Sequence, residues 1–207
     1  MKILICQPKL ESGLEQLEYE LHKNPFVDAA IFPEGYLNEN IVQACELAQK
    51  YNVALITGYR NLQERPKDRA VMINRNGTVV IDRIKYSVAT FAQESGFTIG
   101  HILCDELVIQ GLNGVQESRL DLIVHPIGVG MFSEEQFDEW IGRAREIAIQ
   151  HKVMVIGTSH ADGSFGDTGI SIPIAYCFDK QGDVVFISKN DVRTRILDMQ
   201  TKQFYFA

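Results

Sequence analysis

Short β-rich segments alternate with amphipathic helical segments along this chain, and this alternation restricts its fold more than any other feature. The β-rich segments are dominated by Val, Ile, Leu and aromatic side chains, as is typical of strands. They lie at residues 2–6, 29–32, 53–59, 78–84, 98–104, 120–125, 153–159, 170–178 and 184–188. Because helical patterns lie between several of them, the sequence predicts an α/β fold.

The clearest helical pattern covers residues 132–152. Ser133 and Gln136 have the spacing of a capping box at its start. Apolar residues then recur at helical spacing, at Phe137, Trp140, Ile141, Ala144, Ile147 and Ala148. This stripe predicts a helix that covers a sheet, and it places Trp140 in the core or at an interface rather than in a pocket wall. Weaker patterns predict further helices over residues 11–23, 38–51 and 104 to about 118.

Two turn motifs between strand-like segments predict β-hairpins, namely Asn-Gly at residues 76–77 and Gln-Gly-Asp at residues 181–183. Hairpins join antiparallel strands, whereas strand–helix–strand units join parallel ones, so the sheets are expected to be mixed. No low-complexity linker, charge run or repeat divides the sequence. We therefore expect residues 1–207 to form a single domain.

The charge of the chain argues against some classes of partner. A net charge of -7 and a pI of about 5.2 do not suit a phosphate backbone or an anionic membrane surface, so neither nucleic acid nor a membrane is expected as a partner. The apolar run at the N-terminus is too short for a signal peptide, and no stretch approaches the roughly 20 apolar residues of a membrane span. The expected location is the cytoplasm.

The cysteines at positions 6, 45, 104 and 177 form no C-x-x-C pair. Neither a disulfide framework nor a zinc ribbon is therefore indicated. Cys6, Cys45 and Cys177 lie within apolar patterns and are predicted to be packing residues. Cys104 differs from them, because other reactive side chains stand in equivalent places on other strands.

Reactive side chains mark the ends of three predicted strands. Glu34, Lys85 and Cys104 each stand at or just after the end of a β-rich segment, and Asp105 and Glu106 follow the cysteine. In open α/β sheets, reactive groups gather beyond the carboxyl ends of the strands. A carboxylate can take the thiol proton and an ammonium group can stabilise an oxyanion, so this set suits attack by a thiolate on a carbonyl-like carbon.

Four local motifs occur in the same order along the chain as in a known family. They are FPE at 32–34, IGHILC at 99–104, DLIVHP at 121–126 and RAR at 143–145. Together they resemble the nitrilase superfamily of carbon-nitrogen hydrolases. The resemblance implies a four-layer α-β-β-α sandwich, here with two mixed β-sheets. It also implies a Glu-Lys-Cys triad, for which Glu34, Lys85 and Cys104 are the matching residues.

The resemblance further implies hydrolysis without a metal or organic cofactor. Glu34 takes the Cys104 proton, the thiolate attacks an amide carbon, and a thioester forms that water then hydrolyses. Lys85 stabilises the oxyanion together with the Asp105 backbone N–H, and we expect Lys85 also to favour the Cys104 thiolate. Because Cys-Asp-Glu stands where the family's nitrilases have Cys-Trp-Glu, the expected substrate is a small amide or carbamoyl compound rather than a nitrile.

Family members commonly pair through helices that flank the nucleophile, so the resemblance implies a homodimer. The helix that carries Trp140 and the apolar tail at residues 204–207 are the expected contact surfaces.

The chain also departs from the family pattern. The segments from Glu34 to Lys85 and from Lys85 to Cys104 are shorter than usual, so pocket walls are expected to be reduced. Glu94 is the only candidate between Lys85 and Cys104 for the second glutamate that orients the family's triad. A catalytically inactive binding or regulatory protein on the same fold is therefore the alternative function.

Histidines suggest two other kinds of site. In a Cys-His thiol enzyme a histidine would lie beside Cys104, but His101 is three residues away on the same predicted strand and faces the opposite side. His125 ends the next strand and could support the site, although a histidine there is more often structural. A zinc site built from Cys104, His125 and His160 would lack diagnostic ligand spacing.

Two further features could belong to a functional site, but each also has a simpler structural interpretation. Tyr36 could line a pocket or stack in the core. The glycine-rich loop at residues 163–171, with Asp167, could border the site, but a tight turn is the simpler interpretation.

Overall fold

A computed structural model describes residues 1–112, 120–166 and 169–207. Within these ranges the helices are α1 (Glu15–Lys23), α2 (Ile41–Tyr51), α3 (Glu106–Ile109) and α4 (Glu134–His151). The strands are β1 (Lys2–Ile5), β2 (Ala29–Ile31), β3 (Ala54–Arg60), β4 (Asp68–Ile73), β5 (Val79–Ile84), β6 (Phe91–Glu94), β7 (Phe97–His101), β8 (Leu122–Ile127), β9 (Met154–Ser159), β10 (Ile174–Phe178), β11 (Val184–Lys189), β12 (Arg195–Asp198) and β13 (Gln203–Phe206).

The strands form two mixed sheets. The first has the order β13-β12-β1-β2-β3-β4-β5, in which only the neighbours β1, β2 and β3 are parallel. The second has the order β11-β10-β9-β8-β7-β6, and its parallel centre is β7, β8 and β9. Both predicted hairpins are present, closed by bonds from Asn74 N to Thr78 O (2.8 Å) and from Asp179 N to Asp183 O (3.0 Å).

Three apolar layers separate the helices and sheets. The alternation along β1 shows how they arise: Ile3 and Ile5 face the second sheet, whereas Leu4 faces α1 and α2. A third cluster lies between the second sheet and α4, and includes Trp140 and Ile147. The predicted α/β fold with α-β-β-α layers is therefore confirmed.

Four strands were missed by the sequence pattern. β4, β6, β12 and β13 are not predicted, because each begins or ends with a polar or charged residue and none is a long apolar run. Their backbone hydrogen bonds are satisfied by a neighbouring strand, so pairing and not intrinsic pattern defines them. The apolar tail, expected to be an interface, is β13 and pairs with β12.

The helix α4 begins as the capping pattern predicts. The Ser133 hydroxyl accepts a bond from Gln136 N (3.2 Å), but the Gln136 side chain reaches back to Phe132 N (2.9 Å) rather than to Ser133 N. Trp140 is only 4% exposed, so its prediction as a core residue is confirmed and the tryptophan is not available to a partner. The helix predicted from Cys104 to about residue 118 is only the four-residue α3, since residues 110–112 are not helical, and residues 113–118 of that prediction lie outside the described residues.

Among the described residues, every helix is too short or too polar to traverse a lipid bilayer.

Two glycines provide a matched test of packing. A Cβ on Gly157 in β9 would lie 2.3 Å from Cζ of the buried Tyr176 ring, whereas a Cβ on Gly142, exposed on α4, would meet nothing within 4 Å. We expect Gly157→Ala to lower the free energy of unfolding by about 1–3 kcal/mol through overpacking. Gly142→Ala should raise it by about 0.5–1 kcal/mol, because alanine favours a helix interior. Urea denaturation measures both, and equal effects would contradict this packing.

Candidate active site

The structure brings Glu34, Lys85 and Cys104 to one cavity. Glu34 follows β2 and Lys85 follows β5, both in the first sheet, whereas Cys104 follows β7 in the second. Packing of the sheets therefore places these strand ends opposite each other. The cavity has a volume of about 470 Å³ and all three residues line it. Their convergence is what the order of reactive residues along the chain predicts.

Lys85 lies between two carboxylates. Its Nζ is 2.9 Å from Glu34 Oε1 and 2.8 Å from Asp105 Oδ1, and the side chain is only 9% exposed. Burial by itself would lower the pKa of Lys85, but attraction to Glu34 and hydrogen bonds to both carboxylates outweigh it and raise the pKa. The group is therefore an ammonium ion throughout the physiological pH range.

Glu34 lies close to both other members of the group. Besides its ion pair with Lys85, its carboxylate lies close enough to Cys104 for each group to influence the pKa of the other. Burial raises the pKa of Glu34, and the attraction of Lys85 offsets only part of this effect. A carboxylate with a raised pKa is a stronger base than an exposed glutamate and can return the proton more readily in a later step.

Cys104 stands in a left-handed backbone conformation, with φ of 43°, at the end of its strand. Its N–H donates to Pro126 O at 2.9 Å, and its sulfur accepts a hydrogen bond from the Gly128 N–H. Burial and the charge of Glu34 raise the pKa of Cys104 well above its ordinary value, despite the opposing effect of Lys85. Lys85 acts in the expected direction, since its charge lowers the pKa of Cys104, but burial and the charge of Glu34 outweigh it and the net effect favours the thiol.

Gly128 allows the close approach of Glu34. A Cβ at this position would lie 2.7 Å from Glu34 Oε2, well inside van der Waals contact. The carboxylate would have to shift from its observed position to make room for it. A side chain at Gly128 and the observed placement of Glu34 are therefore incompatible.

His125 supports the nucleophile through the backbone. Its Nε2 lies 2.7 Å from Cys104 O, and since a carbonyl only accepts, Nε2 carries the proton. Its Nδ1 is then the acceptor for the Tyr176 hydroxyl. Burial lowers the pKa of His125 to about 4, so the ring is neutral. Both ring nitrogens are engaged away from the thiol, which agrees with a structural role and not with a Cys-His pair.

A buried ion pair that the sequence reasoning missed links the loops of Lys85 and Cys104. Arg83 Nη1 and Nη2 each lie 2.7 Å from a carboxylate oxygen of Glu106. The same carboxylate accepts hydrogen bonds from Leu103 N (2.7 Å) and Tyr86 N (2.5 Å). The sequence signal for this ion pair was an arginine two residues before Lys85 and a glutamate two residues after Cys104.

The structure does not bring Glu94 to the site. Its carboxylate pairs with Arg75 Nε at 3.0 Å and with the Ser95 hydroxyl, and it does not line the cavity. Glu106, two residues after Cys104, is the glutamate that is bonded to the loops of Lys85 and Cys104. The structure therefore does not support Glu94 as a supporting residue, because its carboxylate is engaged by Arg75 at the end of β6.

The other histidines do not form a metal site. Within the described ranges, no three His, Cys, Asp or Glu side chains lie close enough together to hold a metal ion, so the group of Cys104, His125 and His160 is not assembled as one. His101 is buried and near the charge of Arg83 and the His125 ring, and burial lowers its pKa. It is not among the cavity residues.

Tyr36 is a core residue, 1% exposed, whose hydroxyl accepts a bond from Leu17 N at 3.0 Å. Asp167 lies outside the described residues. The turn interpretation of its loop therefore stays a prediction.

The cavity is lined by both charged and apolar side chains. Beyond the residues already described, the charged ones are Arg60, Lys67 and Asp68. The apolar ones are Val129, Met131, Phe132, Trp140 and Phe165. Trp140 thus belongs to the core and also borders the cavity, which its helical stripe did not predict. A larger cavity of about 1210 Å³ lies elsewhere and is lined by none of the three reactive residues.

Comparison with known proteins gives no family model that matches this sequence and no match among curated proteins. Solved structures do match. A cysteine-to-serine mutant of the Nesterenkonia AN1 amidase from the nitrilase superfamily has a TM-score of 0.78 and 12% identity, covering 97% of this chain and 94% of that chain. The carbon-nitrogen hydrolase from Helicobacter pylori G27 has a TM-score of 0.74 and 14% identity, with coverage of 98% and 90%.

A CN-hydrolase superfamily protein from Xanthomonas campestris, with an arsenic adduct in its active site, has a TM-score of 0.73 and 12% identity, covering 95% of this chain and 89% of that chain. These matches extend over nearly the whole length of both partners. The fold implied by the sequence resemblance is confirmed, and the chain has the α-β-β-α fold of nitrilase-superfamily carbon-nitrogen hydrolases.

Proposed function

We propose that this protein is a member of the nitrilase superfamily that hydrolyses a non-peptide carbon-nitrogen bond of a small amide or carbamoyl compound. The observation that carries the proposal is the ion pair of the Glu34 carboxylate with the Lys85 ammonium in the cavity that Cys104 also lines. A base, a cation and a nucleophile gathered in one cavity are what acyl transfer to a thiol requires.

The first half of the reaction forms a thioester. Glu34 takes the Cys104 proton as the sulfur attacks the carbonyl carbon, and the C–O π electrons move onto oxygen. Lys85 stabilises this oxyanion with the Asp105 backbone N–H, which has no hydrogen-bond acceptor within the described part of the chain. The C–N bond then breaks, and the nitrogen leaves as ammonia or an amine after taking the proton from Glu34.

The second half restores the thiol. Glu34, again a carboxylate, takes a proton from water as the water oxygen attacks the thioester carbon. The C–S bond breaks, the sulfur recovers its proton from Glu34, and a carboxylic acid leaves. Because burial raises the pKa of Glu34, the same carboxyl group can serve as base and acid within one cycle.

Known structures of a protein with this fold support the substrate class. A glutamate-to-glutamine mutant of the Nesterenkonia amidase has been solved with the acetamide moiety of fluoroacetamide added covalently at its active-site cysteine, and a cysteine-to-alanine mutant has been solved with butyramide. A cavity of about 470 Å³ that includes apolar side chains in its lining suits a small amide whose acyl group is apolar.

The first test removes the nucleophile or the base. We expect Cys104→Ala and Glu34→Gln each to reduce turnover by about 10³-fold or more, because the group acts as a unit. Ammonia release from a panel of amides, ureas and nitriles measures turnover, and thermal unfolding checks that the fold is kept. Cys45→Ala, which removes a half-buried thiol on α2, is the matched control. Activity that survives Cys104→Ala would refute the mechanism.

The same panel of compounds also tests the alternative that the protein is an inactive binding or regulatory protein. Failure of the parent protein to release ammonia from every compound, together with saturable binding of one of them, would support the alternative.

The pH dependence tests the role of Glu34. Burial raises its pKa, and only the deprotonated form can accept the thiol proton, so kcat/KM should fall as the pH is lowered through this raised value. The acid limb should therefore lie above the value of about 4.3 that is ordinary for glutamate. A profile of kcat/KM from pH 4 to 9 measures it. An acid limb at or below the ordinary value would contradict Glu34 as the base.

The substrate prediction is tested with a matched amide and nitrile that share one acyl group. We expect a higher kcat/KM for the amide, because the chain has Cys-Asp-Glu at the nucleophile. A nitrile that is hydrolysed faster than its amide would overturn the choice of substrate class.

A further inference from the structure

The Lys85 ammonium carries three N–H groups and lies between two carboxylates. Nζ is 2.9 Å from Glu34 Oε1 and 2.8 Å from Asp105 Oδ1, within ion-pair distance of both. Even when one N–H is turned to each carboxylate, the third is left for a ligand oxygen. Two anchors on one ammonium restrict its rotation far more than the single Glu34 contact could, because a lysine side chain is otherwise flexible.

Asp105 is itself held in place. Its Oδ2 accepts a hydrogen bond from the Tyr86 hydroxyl at 2.8 Å, and the Tyr86 ring lies 5.3 Å from Lys85 Nζ. The Tyr86 backbone is left-handed, with φ of 67°, and its N–H donates to the buried Glu106 carboxylate. Lys85, Asp105 and Tyr86 thus form a closed ring of contacts at the cavity wall.

The simpler interpretation of Asp105 is that it caps the helix that follows. Its backbone has helical angles, with φ of -66°, and its side chain makes no capping hydrogen bond to α3. One carboxylate oxygen contacts Lys85 and the other contacts Tyr86. The Asp105 carboxylate therefore interacts with Lys85 and does not cap α3.

We propose that Asp105 is a positioning residue that, with Tyr86, orients the Lys85 ammonium so that one N–H remains for the oxygen of the substrate. The catalytic part of this proposal rests on the proposed function. The cavity lining carries three cations, Arg60, Lys67 and Lys85, and three carboxylates, Glu34, Asp68 and Asp105, so its formal charges balance. Asp105 is one of the two carboxylates that contact Lys85, and its charge therefore disfavours amides that bear a carboxylate near the reacting bond.

The charge of Asp105 is tested without any substrate. The rate of Cys104 alkylation by iodoacetamide is measured against pH, with mass mapping to confirm the labelled residue. The negative charge of Asp105 disfavours the Cys104 thiolate. Asp105→Asn should therefore lower the midpoint of the rate–pH profile by about one pH unit. Asp105→Glu, which keeps a carboxylate, and Asp138→Asn, which removes an exposed charge on α4, should keep the parental midpoint. A parental midpoint in Asp105→Asn would overturn the placement of Asp105 beside Lys85.

Positioning is tested with a neutral amide that the parent hydrolyses. Asp105→Asn should lower kcat about tenfold while KM changes less than threefold, and Asp105→Glu should recover part of the loss. The ratio of kcat/KM for matched cationic and anionic amides should fall in Asp105→Asn. An unchanged kcat and an unchanged ratio in this variant would overturn the positioning role. If the parent hydrolyses no amide, the proposed function fails, and the alkylation profile still decides whether Asp105 acts on the site.

Discussion

The apolar contact between the two sheets is the interaction on which the site depends. Ile3 and Ile31 of the first sheet pack against the layer formed by Ile99 and Val124 of the second. No single sheet carries the three reactive groups, so this packing creates the cavity. Burial also sets its chemistry, because loss of solvent is the largest influence on the pKa of both the carboxyl group and the thiol.

The Arg83–Glu106 pair then sets the distance between the lysine and the nucleophile. A buried ion pair is costly unless its hydrogen-bonding groups are satisfied. Here the Glu106 carboxylate accepts bonds from both ends of the guanidinium fork and from two backbone N–H groups, at Leu103 and Tyr86. Arg83 lies two residues before Lys85 and Glu106 two residues after Cys104, so a shift of either loop would break this network.

The charge distribution describes a site with a neutral thiol and a shared ammonium. A thiolate–imidazolium pair is not formed, because the buried His125 holds the Cys104 carbonyl with one nitrogen and the Tyr176 hydroxyl with the other. Charge is instead concentrated on Lys85 and the two carboxylates around it. In the proposed mechanism, Glu34 generates the thiolate when substrate is bound, and the absence of a side chain at Gly128 leaves room for its carboxylate.

Periodicity and turn chemistry by themselves determined the α/β class, the two hairpins and the long helix α4, because these depend on neighbours within a few residues. The order of Glu34, Lys85 and Cys104 at strand ends also followed from the sequence. Only the tertiary structure decided which glutamate stands near the nucleophile and which cation Asp105 contacts. Those choices, like the short strands β6, β12 and β13, arise from pairing between segments far apart in the chain, and no local pattern records the register of such contacts.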